Sequence, residues 1–166
     1  MKKTFYILVL IALVLALPSC KRNDLDDPSW DGPAGYDIIV DGSANPAVLI
    51  INGAPNLSTI RVRVTNSSGT PLVNHLLFFQ QLNDGYQPVD WGMFENGGAT
   101  ISKVTNANGE ASVAFFSPTV LYSHNMYILA LLQVNGHAYY YNSDTGSFPA
   151  GIPMDYISIA MVNGVN

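Results

Sequence analysis

Apolar and polar residues alternate along much of this chain, and a period of two residues is typical of half-buried β-strands. In residues 59–65, Ile60, Val62 and Val64 alternate with two arginines, which predicts one face toward a core and one toward water. No apolar stripe with helical spacing occurs from Tyr36 onward. The predicted strands are Tyr36–Val40, Ala47–Ile51, Thr59–Thr65, Leu72–Gln81, Ala99–Thr105, Glu110–Phe116, Met126–Val134, Ala138–Asn142 and Tyr156–Val162.

Turn signals separate these predicted strands. Asn, Asp and Gly tolerate the positive φ angles that tight hairpin turns require. Many short strands with frequent turns predict an all-β fold, an antiparallel β-sandwich of about seven to nine strands. Asn-Gly dipeptides begin at Asn52, Asn96, Asn108, Asn135 and Asn163, and Asp-Gly dipeptides begin at Asp31, Asp41 and Asp84.

The start of the chain has the pattern of a secretory signal. Two lysines precede the apolar run 5–17, which is shorter than the roughly 20 residues that a membrane-spanning helix needs. The sequence Leu17-Pro18-Ser19-Cys20 then resembles a bacterial lipobox. This resemblance implies cleavage before Cys20 and a lipid such as palmitate on its sulfur, so residues 1–19 would be a lipoprotein signal peptide. An uncleaved N-terminal helix and ordinary cleavage with a free thiol are the alternatives.

Residues 20–35 predict a flexible acidic tether between the lipid on Cys20 and a folded domain in residues 36–166. The segment holds four aspartates, two prolines and two glycines, with little to bury. Its acidic cluster loosely resembles the surface-export signal of some Bacteroidetes lipoproteins, while a solvated spacer is the simpler interpretation. We therefore expect a protein of the bacterial cell envelope, lipid-anchored in the outer membrane.

Charge excludes two classes of partner. The chain has 7 Lys and Arg against 12 Asp and Glu, for a formal net charge of −5. Nucleic-acid binding requires a basic surface, so nucleic acid is not expected as a partner. Adhesion to anionic lipid by charge alone is disfavoured for the same reason, and the membrane is expected as a partner only through the lipid.

Two segments forty residues apart echo each other, 64–73 and 104–113. Each contains a strand, an Asn-led turn closed by Gly, and a second strand. Together with the alternating strands over residues 57–116, they resemble the bacterial immunoglobulin-like domain of the invasin and intimin type. The resemblance implies an immunoglobulin-like sandwich with a spacer or adhesive role. The competing resemblance is to the carboxypeptidase-regulatory or transthyretin-like sandwich, in which the second turn follows sooner.

Residues that could carry catalysis are sparse. The histidines His75, His124 and His137 lack the spacing of a zinc site, and no Gly-x-Ser-x-Gly nucleophile motif occurs. The sequence therefore predicts no enzyme, no cofactor and no metal. A small envelope hydrolase remains the remote alternative.

Two aromatic groups are candidates for binding. Tyr86, Trp91 and Phe94 lie among polar residues in segment 83–97, and aromatic rings on loops can stack on sugars or anchor protein interfaces. The alternative is that Trp91 and Phe94 fold back as a lid over one end of the sandwich. The second group is Tyr139-Tyr140-Tyr141 with Tyr127 and Tyr156, for which ordinary packing is the alternative.

These observations predict a lipid-anchored, exported, non-enzymatic domain that acts in adhesion, envelope structure or partner binding. The expected ligand is a protein or a glycan. The alternative function is that of a glycan-binding accessory lipoprotein in a polysaccharide-uptake system, and it depends on the loop that holds Tyr86, Trp91 and Phe94.

Overall fold

A computed structural model describes residues 38–120, 124–133 and 152–164. These residues form nine β-strands and no helix. The all-β fold predicted by the alternating pattern is therefore confirmed. The strands are β1 (Ile38–Asn45), β2 (Val48–Ile51), β3 (Leu57–Asn66), β4 (Leu76–Asn83), β5 (Met93–Phe94), β6 (Thr100–Val104), β7 (Glu110–Phe116), β8 (His124–Leu132) and β9 (Met154–Asn163).

The strands form two sheets with an immunoglobulin-like order. One sheet has the order β1-β3-β7-β5, and the other has the order β2-β9-β8-β4-β6. In an immunoglobulin sandwich the first, second and fifth strands share one sheet, while the third, sixth and seventh share the other. The strands β1, β3 and β7 correspond to the former group, and β4, β8 and β9 to the latter. The predicted antiparallel sandwich is confirmed, with one parallel pair, β2 and β9, at the edge of the five-stranded sheet.

The core lies between the two sheets and is filled by the inward positions of alternating strands. In β3, Ile60, Val62 and Val64 are buried while the residues between them face outward, as predicted. Each fully buried side chain of this size contributes about 1.5–3 kcal/mol through removal of apolar surface from water. The largest members of the core on the opposite sheet and on β7 are Leu49, Ile51, Leu77, Phe79, Phe115, Met126, Ile128 and Ile159.

Strand β8 is apolar on both faces because it is the central strand of the five-stranded sheet. Its outward Leu129 and Leu131 are fully buried and pack with Leu82, Met154 and Ile152 in a second apolar cluster. The apolar run 126–134 predicts either a covered central strand or an exposed interface, and the structure has the covered central strand.

The predicted strand 72–81 begins later than expected, at Leu76. Buried Thr105 ends the preceding turn: its hydroxyl donates to the carbonyl of Leu72 at 2.7 Å and accepts the N–H of His75 at 2.9 Å. A side chain thirty residues away therefore sets the strand boundary, and no sequence pattern near Leu76 indicates it. The predicted strand 138–142 lies outside the described residues.

The turn predicted at Asp41-Gly42 is wrong, because these residues lie within β1. The N–H of Gly42 donates to Oδ2 of Asp155 on β9 at 2.8 Å. A Cβ atom at Gly42 would lie 2.5 Å from Cγ1 of buried Ile157. Glycine is therefore required here for the close approach of β1 to the opposite sheet, and not for a turn.

This close approach predicts that Gly42→Ala destabilises the fold by about 1–3 kcal/mol, because the new methyl group overpacks Ile157. The free energy of unfolding in urea would be compared in the wild-type and Ile157→Ala backgrounds. Removal of the Ile157 side chain opens the space, so the cost of Gly42→Ala should largely disappear in that background. An equal cost in both backgrounds would show that contact with Ile157 is not the reason for the glycine.

Candidate functional site

Three loops of the described chain begin with an asparagine that folds the backbone in the same way. In each loop the Oδ1 atom of the asparagine accepts the N–H groups of the residues two and four positions later, at 2.8–3.1 Å. The first residue also donates its own N–H to the carbonyl of the residue four positions later. We call these Asn66–Thr70, Asn83–Gln87 and Asn106–Glu110 the Asn-led loops. The sequence echo identified the first and third, but missed the second.

The fourth residue of each Asn-led loop has a positive φ angle. It is Gly69 with φ of 80° in the first loop, Gly109 with 72° in the third, and Tyr86 with 59° in the second. For a residue with a side chain, this left-handed conformation costs roughly 1–2 kcal/mol relative to the right-handed one. The hydrogen bonds of Asn83 hold Tyr86 in a conformation that glycine would adopt more easily. Backbone outliers of this kind concentrate at functional sites.

The ring of Tyr86 lies against two tyrosines of the five-stranded sheet. It stacks on Tyr127 with ring centroids 5.1 Å apart and 21° between planes, and it meets Tyr156 edge-on at 5.1 Å and 74°. We call Tyr86, Tyr127 and Tyr156 the tyrosine cluster. In β8 and β9 the residues next to Tyr127 and Tyr156 point into the core, so the cluster lies on the outer face of the sheet.

The tyrosine cluster joins the two aromatic groups that the sequence singled out. Tyr86 comes from the first group, and Tyr127 and Tyr156 come from the second, while Tyr139-Tyr140-Tyr141 lies outside the described residues. Tyr86 is 47% exposed and Tyr156 is 38% exposed. Three adjoining rings with exposed edges and hydroxyl groups form a surface that can stack on a flat ligand and exchange hydrogen bonds with it.

The hydroxyl groups of the cluster influence one another. The pKa of Tyr127 is raised above its usual value, first by charge repulsion with Tyr86, then by a hydrogen bond with Tyr86, and further by burial and by the carboxylate of Asp84. Burial, and secondarily the charge of Tyr86, raises the pKa of Tyr156. The hydroxyls of Tyr127 and Tyr156 therefore stay protonated at neutral pH, where they can donate as well as accept hydrogen bonds.

Trp91 does not join the tyrosine cluster. Its half-buried ring packs against the main core and lies 5.6 Å from the ring of His124. The following residue, Gly92, is held by fully buried Gln81, which accepts the N–H of Gly92 at 2.9 Å and donates to its carbonyl at 3.0 Å. This buried amide keeps residues 91–92 against the sandwich.

Phe94 is a core residue, so its assignment to a binding surface is corrected. Its side chain is 1% exposed and meets Phe115 edge-on at 5.8 Å. The reason is that Met93 and Phe94 form the short strand β5, which pairs with β7 and turns alternate side chains inward. Of the three residues predicted in this loop, the structure keeps only Tyr86 at an exposed aromatic surface.

Neither a metal-binding cluster nor a membrane-spanning helix occurs in the described ranges. There, no group of three or more His, Cys, Asp and Glu side chains is placed to hold a metal ion. Over the same ranges, no helix is long and apolar enough to cross a membrane. His137 and Cys20 lie outside these ranges.

No protein-family model matches this chain, and no curated protein matches it. Among solved structures, AggA, the major subunit of aggregative adherence fimbriae type I from Escherichia coli, is 9% identical, with a TM-score of 0.42 over 77% of this chain and 96% of that chain. The reeler domain of human F-spondin is 8% identical, with a TM-score of 0.41 over 74% and 87%. SSP-19, an MSP-domain protein like family member of Caenorhabditis elegans, is 12% identical, with a TM-score of 0.35 over 72% and 98%.

The burial of Phe94 predicts that Phe94→Ala destabilises the fold by about 3–5 kcal/mol, because it leaves a cavity against Phe115. Met93, which is 47% exposed on the same short strand, supplies the matched control. Met93→Ala should change the free energy of unfolding by no more than about 0.5 kcal/mol. Urea unfolding of both variants measures the difference, and equal effects would contradict the inward orientation of Phe94.

The contacts of Tyr86 predict that Tyr86→Phe lowers the pKa of Tyr127 toward its usual value of 10.0, because the variant keeps the ring but removes the hydroxyl. NMR titration of tyrosines labelled at Cζ measures this change. A raised pKa in the folded state means that stability declines as pH rises above 10, where the unfolded chain loses its proton first. This decline should be smaller in Tyr86→Phe, and an unchanged Tyr127 titration would contradict the contact.

Proposed function

We propose that this chain is a lipid-anchored, exported, non-enzymatic binding module of the bacterial cell envelope, which acts in adhesion or partner binding through the tyrosine cluster. One observation carries the proposal. Tyr86 occupies a left-handed position that glycine fills in the two other Asn-led loops, and its ring is nevertheless about half exposed. A large aromatic side chain at a strained, exposed position contributes more to ligand binding than to the stability of the fold.

The surface around Tyr86 has the properties of a contact site for a partner. Tyrosine gives a large rigid contact area together with a polar tip, and it is enriched among residues that dominate binding energy. The rings of Tyr127 and Tyr156 support the Tyr86 ring from two directions. Because this arrangement is already assembled, a partner would not have to order the side chains as it binds.

The position of the protein in the cell is part of the same proposal. The lipobox-like sequence that ends at Cys20 supports cleavage after residue 19 and anchoring by a lipid, with the acidic segment 20–35 as the tether. Residues 36–166 would then form the exported domain on the outer membrane. The first and third Asn-led loops support a relationship to the bacterial immunoglobulin-like domains of the invasin and intimin type. We propose this relationship at the level of the family.

A glycan is the second candidate ligand, and the polar groups beside Tyr86 favour it. Asp84 is exposed two residues before Tyr86 in the same loop, and its charge contributes to the raised pKa of Tyr127. An aromatic face beside a carboxylate can stack on a sugar ring while accepting hydrogen bonds from its hydroxyl groups. This arrangement supports the alternative role in a polysaccharide-uptake system.

The proposal predicts that a photo-crosslinker at the tyrosine cluster reaches a partner in living cells. Tyr127 would be replaced by p-benzoylphenylalanine in the full-length chain, because its side chain lies on the outer face of the sheet, where a larger aromatic group does not enter the core. Val104, which is 54% exposed on the edge strand β6, would carry the same group as a matched control. We expect an adduct from position 127 that is absent from position 104 and weaker when Tyr86 is replaced by Gly.

Two further variants separate the parts of this proposal. In Cys20→Ser cells, incorporation of labelled palmitate should be lost, which tests the anchor independently of binding. Asp84→Asn should leave a protein adduct unchanged but weaken retention of the chain in gels that contain polysaccharide. The absence of any adduct at position 127, or equal adducts at both positions, would contradict partner binding by the tyrosine cluster.

A further inference from the structure

The outer face of the four-stranded sheet, on the side of the sandwich opposite to the tyrosine cluster, carries a groove of about 350 Å³. Three neighbouring strands line it with outward side chains that alternate with core residues. This volume lies near the lower end of the range for small-molecule sites, which is enough for one or two sugar rings. Besides Asn106 of the third Asn-led loop, its polar lining consists of six strand side chains: Asp41 and Ser43 from β1, Arg61 and Arg63 from β3, and Glu110 and Ser112 from β7.

The strand register arranges these six side chains in two rows across the sheet. One row places Arg63 between Asp41 and Glu110. The next row places Arg61 between two serines, Ser43 and Ser112. Because residues two apart on a strand share a face, the two arginines are separated by about 7 Å along β3. The first row therefore carries one more negative charge than positive charge, while the second row carries only the positive charge of Arg61.

The arginines are available for a ligand. Among the described residues, no carboxylate oxygen lies within 4.0 Å of either guanidinium. The ion pair seen in the described ranges involves neither arginine and joins Lys103 to Glu95. Both arginines are exposed. They are two of the three Lys and Arg residues in the described ranges of an acidic chain, so they concentrate its positive charge at one place.

The chemistry of the two rows selects a class of ligand. The guanidinium of Arg61 can bind a carboxylate with two parallel hydrogen bonds, and the hydroxyls of Ser43 and Ser112 flank that position. The carboxylates of Asp41 and Glu110 can accept hydrogen bonds from hydroxyl groups of the same ligand. These carboxylates also offset the charge of the two arginines, so the groove as a whole offers no net attraction to a doubly charged anion such as phosphate.

We propose that this groove binds an acidic sugar, with the sugar carboxylate on Arg61 and the sugar hydroxyls on the Asp41 and Glu110 row. The site is independent of the proposed role of the tyrosine cluster, because the two lie on different sheets. Loss of one would leave the other in place.

Amide NMR of the full-length chain in a neutral detergent tests this proposal, with sodium glucuronate as the probe. Glucuronate should shift the signals of residues 41–43, 61–63 and 110–112, whereas glucose at the same concentration should not. Arg61→Gln should weaken glucuronate binding about tenfold or more, because it removes a charge-assisted pair of hydrogen bonds. Lys103→Gln, which removes one positive charge from the other sheet, should leave the affinity unchanged.

The outcomes that overturn the proposal are distinct from those that concern the tyrosine cluster. The acidic-sugar site is wrong if glucuronate causes no shifts in the groove, if glucose causes the same shifts, or if inorganic phosphate binds there and glucuronate does not. If Arg61→Gln and Lys103→Gln weakened glucuronate binding equally, the effect would come from net charge alone. That result would also overturn the proposal. Tyr86→Gly should bind glucuronate like the wild type.

Discussion

The hydrogen bond from Gly42 to Asp155 joins the two sheets where β1 packs against β9, and both candidate surfaces have residues next to it in the sequence. Gly42 lies between Asp41 and Ser43, which line the groove on one face of the sandwich. Asp155 immediately precedes Tyr156 of the tyrosine cluster on the other face. The absence of a side chain at Gly42 lets β1 lie against Ile157, while the carboxylate satisfies a backbone N–H on the edge strand β1.

The chain also crosses between the sheets close to this contact. After β1 pairs with β3, Pro46 and Ala47 lead directly into β2, which pairs with β9 in the other sheet. One continuous stretch of chain therefore contributes an edge to both sheets. The outer faces of the two sheets carry different chemistry: arginines, serines and carboxylates on the four-stranded sheet, and tyrosines on the five-stranded sheet.

The sequence predicts the features of this fold that arise from local patterns. It fails where a contact between residues far apart in the chain determines the local structure. Alternation of Ile60, Val62 and Val64 predicted β3 and the outward arginines, and the apolar run of β8 predicted a central strand as one of two alternatives. Asp41-Gly42 has the local signature of a turn, but its partner Asp155 is 113 residues away. Nothing near position 42 in the sequence reports that contact.

The candidate site could likewise be predicted only in part, because local patterns indicate some of its residues and contacts between distant residues bring them together. Asn83 has the spacing of the other Asn-led loops, but a search for glycine at the fourth position misses Tyr86, because the loop imposes the left-handed conformation without it. Phe94 was misassigned because a two-residue strand leaves no periodic pattern. The grouping of Tyr86 with Tyr127 and Tyr156 follows from the order of strands in the sheet, which sequence alone does not supply.

The central claim is that the tyrosine cluster is a preformed surface of the free protein, and solution NMR tests it most directly. In the left-handed conformation the amide proton of Tyr86 lies unusually close to its own Hα, so the account predicts a strong intraresidue nuclear Overhauser effect there, together with ring-to-ring effects from Tyr86 to Tyr127 and Tyr156. A weak intraresidue effect and no contacts between the Tyr86 ring and the other two would show that the surface is not assembled before binding, and would contradict the account.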